Sequence, residues 1–151
     1  MDKICTSIEQ SQKLVELGID VNTADMHYST WTILNDGEYI LSPNQGQTIE
    51  ELQKDYGNQV IPAWSLTALL KLIKSEIYNK TIQGEPVTYK VDFRKFKFTD
   101  DIDLYQIAYG SIKFDVDGQY SFRDMINTGQ KEEPIDAAFQ MVCWLKENNK
   151  I

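Results

Sequence analysis

A chain of 151 residues, 42% hydrophobic and 25% charged, suits one globular domain, 1–151, with a core large enough to need no staples. With 15 basic residues against 23 acidic, its net charge of −8 argues against long-range attraction to nucleic acid or anionic membrane. The two cysteines, Cys5 and Cys143, and the single histidine, His27, form no pair at metal-ligand spacing, so no metal and no cofactor is expected.

Met1-Asp-Lys-Ile-Cys-Thr has no apolar run of the kind that directs secretion, and both thiols suit a reducing cytoplasm. The expected location is therefore cytoplasmic. The charge is uneven. Residues 1–56 sum to −7, residues 57–98 to +4 and residues 99–151 to −5.

Along the chain, Thr6 followed by Glu9 reads as a capping box opening a helix that stops at Gly18, with Ile8, Leu14, Val15 and Leu17 inward. A hairpin is expected next, with Trp31–Leu34 and Tyr39–Leu41 on either side of Asp36-Gly37. Thr48 and Glu51 make a second capping box, for a helix that buries Ile49, Leu52 and Tyr56 and stops at Gly57. Ile61-Pro-Ala-Trp reads as extended. Ser65 then caps a helix with Leu66, Leu69, Leu70, Ile73 and Ile77 on one face.

The following third is strand. Val87, Tyr89, Val91 and Phe93 alternate, and the apolar phase then slips to Phe96 and Phe98. Tyr105, Ile107 and Tyr109 alternate before a second slip across Gly110 to Ile112, Phe114 and Val116. A one-residue slip flips every side chain, so a bulge or short turn is expected at each. Asp117-Gly118 marks a second hairpin. Pro134–Glu147 is a helix apolar over nearly its whole girth, which its own domain or a partner must wrap. It is too short and too interrupted by Asp136 and Gln140 to span a bilayer, so no membrane association is expected. These elements predict an α+β fold. It has an antiparallel sheet of four or more strands with two hairpins, packed by N-terminal, central and C-terminal helices.

No constellation announces a reaction. Asp115, Asp117 and Gly118 fit positions 3, 5 and 6 of a calcium loop, but Lys113 puts an ammonium where the first oxygen ligand belongs, and Asp124 replaces the final glutamate. Asp100, Asp101 and Asp103 read as a solvated turn. Asp25 and His27 lie two residues apart, as in a turn rather than a triad, and no G-x-S-x-G accompanies them. No glycine-rich phosphate loop is present in the sequence. No catalytic residue is therefore assigned.

Lys90, Arg94, Lys95 and Lys97 interleave with Phe93, Phe96 and Phe98. This basic-aromatic strand could carry cations on one face and stacking rings on the other, as single-strand binders do. Of the three tryptophans Trp31, Trp64 and Trp144, Trp64 stands beside Pro62 outside any periodic element, which suggests partial exposure.

Three segments carry a family likeness: Cys5–Gly18 with Thr23-Ala-Asp-Met-His-Tyr, Ile61-Pro-Ala-Trp-Ser-Leu, and Pro134–Leu145. Together they resemble small uncharacterised proteins of gut Bacteroidales prophages and conjugative elements. The resemblance implies a cytoplasmic protein in a mobile-element setting and supplies no activity, cofactor or functional residue. The reading is a non-catalytic domain that binds an unknown protein partner or itself as a homodimer, with Asp25, Tyr28 and Trp64 as exposed contacts. The rivals are a nucleic-acid accessory protein using residues 90–98 and a small hydrolase built around His27.

Overall fold

The computed structural model describes residues 3–30, 37–57, 59–80, 83–114 and 116–151. Trp31–Asp36 and Asp115 fall outside them, and with them the first strand expected of the first hairpin, half of its turn, and one candidate calcium ligand. The fold is α+β, with four α-helices and two antiparallel sheets of three and four strands among the described residues. The chain forms two compact units, Met1–Lys71 and Leu72–Ile151.

In the first unit, α1 (Ile8–Glu16) is capped by Ser7 and Gln10, one residue later than Thr6 and Glu9. Thr6 is diverted. Its Oγ1 accepts the Trp64 N–H (3.0 Å) and stands 2.8 Å from Ser11 Oγ, the small polar residue that α1 buries beside Leu14. Val15, expected inward, is exposed. Gly18 at φ 77° takes the left-handed position that ends the helix, and Ile19 N–H donates back to Leu14 O (3.0 Å).

β1 (Met26–Thr30) is the centre of the three-stranded sheet, between β2 (Tyr39–Pro43) and β3 (Ile61–Ala63). α2 (Ile49–Tyr56) starts at the Thr48–Glu51 capping box and stops at Gly57 as expected. It buries Ile49 and Leu52 and leaves Tyr56 exposed. α3 (Leu66–Leu72) ends early: Ile77 belongs to a strand, so its helical spacing from Leu70 and Ile73 was coincidental.

The second unit holds the sheet β4-β5-β6-β7: β4 (Glu76–Lys80), β5 (Pro86–Lys97), β6 (Asp103–Phe114) and β7 (Tyr120–Asn127). The β6–β7 hairpin turns where Asp117-Gly118 was expected to turn it, with Gly118 at φ 74°. α4 (Pro134–Glu147) opens on a proline at its first turn and lies against β6. Ile135, Ala137, Ala138, Met141, Val142 and Leu145 are buried, and Phe139, Cys143 and Trp144 are half-buried. Most of the apolar girth of this helix is thus covered within the chain, and Phe139, Cys143 and Trp144 stay partly open. Both cysteines are free thiols, and no described helix is long and apolar enough to cross a membrane.

Candidate functional site

Residues directly opposite in an antiparallel pair share a face. β5 runs against β6 in one unbroken register, from Lys90 opposite Gly110 to Lys97 opposite Asp103. The first phase slip is therefore neither bulge nor turn: the strand continues and its apolar residues change sides. Val91, Phe93, Lys95 and Lys97 share a face with Tyr109, Ile107, Tyr105 and Asp103; this face buries Ile77, Ile107 and Tyr109, while Phe93, nearer the hairpin end, is 53% exposed. Lys90, Arg94 and Phe96 lie on the other face with Gly110, Gln106 and Leu104. The second slip coincides with a register shift at Tyr109/Gly110, where β7 inserts the extra residue Met125 between Asp124 and Ile126.

The four candidate nucleic-acid cations are thus divided between both faces. Three stand against carboxylates. Arg94 donates through Nε to Asp92 (2.7 Å) and through Nη1 and Nη2 to Asp124 (3.0 and 2.7 Å), and its guanidinium lies 5.1 Å over the Phe122 ring. Lys95 pairs with Asp103 at 2.7 Å, and Lys90 stands 3.9 Å from Glu76. These partners hold Arg94 and Lys95 protonated more firmly than usual, chiefly through the Asp124 and Asp103 bonds. A guanidinium bonded on three sides has little left to offer a phosphate.

At the hairpin end of the face that carries Arg94 and Phe96 lies an apolar patch. Phe98 N–H donates to Ile102 O (2.9 Å), extending the hairpin so that Phe98 faces Ile102 just beyond the Phe96–Leu104 pair. Phe98 is 68% exposed, Ile102 40% and Phe96 36%. The turn between them is locked by Thr99, whose Oγ1 accepts the N–H groups of Asp101 (3.3 Å) and Ile102 (3.1 Å). Asp100 and Asp101 therefore sit in a structural turn, as expected, whereas Asp103, expected there too, is the first residue of β6 and pairs with Lys95. No group of three or more His, Cys, Asp or Glu suited to a metal occurs among the described residues.

The Arg94 bridge holds the Asp124 carboxyl below its ordinary range. An acid with a depressed folded pKa stabilises the fold above its unfolded pKa, and that contribution fades as pH falls through the folded one. Asp124→Asn is expected to lower stability by ~1–2 kcal/mol at neutral pH, a partly exposed charged hydrogen bond. Urea melts of variant and wild type should converge as the solution is acidified below the carboxylate range; a gap that persists in acid would assign the loss to packing.

The residues first singled out as contacts lie in the first unit, and they brace it. Trp64 is fully buried, contrary to the exposure expected of it, with Nε1 donating to Thr23 Oγ1 (2.9 Å). The three-residue strand just before it is too short to show an alternation in sequence. Asp25 is exposed, but its carboxylate accepts from Ser65 N–H (2.8 Å) and Ser65 Oγ, while Ser65 Oγ accepts from Ala68 N–H (3.2 Å) at the start of α3. Tyr28 is half-buried, its hydroxyl donating to Thr6 O (2.8 Å).

Neither Cys5 nor His27 has the surroundings that catalysis would ask of it. Cys5 Sγ lies 3.4 Å from Tyr28 Oη, and burial pushes the thiol above its ordinary pKa, away from thiolate. His27 is buried with Nδ1 2.9 Å from Asn44 Oδ1, and Asn44 Nδ2 donates to Ala24 O (2.9 Å). Its ring faces an amide rather than the carboxylate a hydrolytic triad needs. An open groove of about 540 Å³ runs along Gln12, Val15, Glu16 and Val60–Pro62 in the first unit. No protein-family model, characterised protein or solved structure matches this chain.

Proposed function

We propose that this chain is a non-catalytic cytoplasmic protein, in the mobile-element setting its resemblance implies, which binds another protein through the apolar end of the β5–β6 hairpin. The observation that carries the reading is the pair of cross-strand contacts Phe96–Leu104 and Phe98–Ile102 on a solvent-facing side. Apolar side chains gathered at an exposed tip favour a partner that covers them with apolar side chains of its own and leaves a polar rim. Asp100 and Asp101, exposed in the turn beside them, supply polar groups for such a rim. Phosphate would find Arg94 and Lys95 already engaged.

The double variant Phe98→Ser, Ile102→Ser should fold as wild type does, since exposed positions change stability by about 0.5 kcal/mol or less. Affinity capture from the host with wild type and variant in parallel, quantified by mass spectrometry, should yield a partner lost on the order of tenfold or more with the variant. Equal recovery by both chains would sink the proposal. Binding of a single-stranded oligonucleotide that weakens steeply with salt would replace it with the nucleic-acid reading.

A further inference from the structure

β4 is an outer strand of its sheet, and the direction of its backbone groups follows from the hydrogen-bond phase. Val91 N–H donates to Ser75 O (2.9 Å). Antiparallel bonds alternate along a pair, so Ile77 and Asn79 exchange bonds with Tyr89 and Val87, while Glu76, Tyr78 and Lys80 turn their N–H and C=O groups outward. Three details agree. Tyr78 O accepts from Lys150 Nζ (2.8 Å), Lys80 N–H donates to Asn79 Oδ1 (2.9 Å), and Pro86, which has no N–H, stands opposite Lys80. Tyr78 on this edge is 69% exposed, and a hollow of about 240 Å³ runs beside it, lined by Lys74, Glu76, Ile77, Tyr78, Asn149 and Lys150.

We propose that a second copy of the chain adds to this edge, antiparallel, about a two-fold axis through Tyr78. In that register each Tyr78 faces the other, and each Glu76 faces the Lys80 of the second copy. The residues that would exchange backbone bonds across the seam are those whose groups already point outward. Both cross-strand charge pairs are attractive. An axis through Glu76 or through Lys80 would instead set like charges face to face, so the charges select the Tyr78 register. The Asn79 amide, on an exposed side chain, and the ammonium of half-buried Lys150 cover the edge in the single chain, and each makes there a single solvent-exposed hydrogen bond that a partner strand can replace. The result is one continuous sheet of eight strands across the two copies. The seam lies along the strand edge, apart from the apolar tip of the β5–β6 hairpin, so either reading can fail without the other.

Sedimentation velocity of the full chain over a concentration series reaching millimolar tests the seam. Wild type should show a reversible monomer–dimer equilibrium. Glu76→Lys and Lys80→Glu, each replacing two attractive pairs by two repulsive ones, should weaken it on the order of tenfold or more. Glu76→Lys also disturbs the contact with Lys90, whereas Lys80→Glu leaves that pair in place. An equimolar mixture of the two variants should restore the dimer, because the introduced charges are then opposite across the seam. A wild type that stays monomeric throughout, single variants that associate as wild type does, or a mixture that stays monomeric would each overturn the proposal.

Discussion

Replacing Trp64 with alanine is expected to destabilise the first unit by ~3–5 kcal/mol, the range for deleting a large buried aromatic. The side chain is wholly enclosed, and its indole N–H donates to Thr23 Oγ1 at 2.9 Å. Its backbone is tied as closely: Trp64 N–H donates to Thr6 Oγ1 (3.0 Å) and Trp64 O accepts from Thr6 N–H (2.9 Å). Loss of the ring therefore leaves a cavity where β3 meets the segment leading into α1. Against a typical total of ~5–15 kcal/mol, such a loss brings the unit close to unfolding under ordinary conditions. Urea denaturation followed by far-ultraviolet circular dichroism reads the effect. Trp64→Phe, which keeps most of the ring's bulk and loses one donor, should cost far less. A Trp64→Ala chain with an unchanged midpoint would show that the ring does not pack as described.

Gly110→Ala is expected to be the most damaging small substitution in the second unit, at ~3 kcal/mol, the upper part of the range for overpacking. A Cβ there would lie 2.4 Å from Arg123 O, 2.4 Å from Phe122 Cε1 and 2.8 Å from Phe122 Cζ. The ring could tilt away, but the carbonyl belongs to the paired strand and can move only with the β6–β7 ladder. Tilting the ring also undoes its stacking beneath Arg94, so the damage spreads to the Asp92–Arg94–Asp124 bridge. Thermal melts of Gly110→Ala beside Asp124→Asn separate the two losses. If Gly110→Ala melts with wild type, the close approach of ring and strand is not real.

Much of the α+β framework was legible because its signals are local. Thr48 with Glu51, Gly57, Asp117-Gly118 and Pro134 act over a few residues, and each marks the boundary it was expected to mark. The capping box of α1 was misplaced because Thr6 and Ser7 can both cap. What decides between them is Trp64, 58 residues beyond Thr6, which claims the threonine hydroxyl. The same distance hid the interior position of Trp64. Ile77 was drawn into a helix by its spacing, although the strand it starts is fixed by pairing with β5.

The candidate surface was half visible. The jump from Phe93 to Phe96 is plain in the sequence, but a bulge and a change of face produce the same pattern. Only the register of the neighbouring strand separates them. Asp92 beside Arg94 could have been anticipated from their spacing of two along a strand; Asp124, on β7, could not.

The clasp of Asp25 on Ser65 bears on the order in which the first unit assembles. α3 has seven residues, well short of the ~12–15 that let a helix persist alone in water. The carboxylate that steadies its first turn arrives from 40 residues earlier, at the entrance to β1. Nucleating α3 therefore waits on closure of a long loop, whose entropy must be met before the helix gains its anchor. Closing that loop and forming the first turn of α3 are thus coupled through one hydrogen-bonded carboxylate.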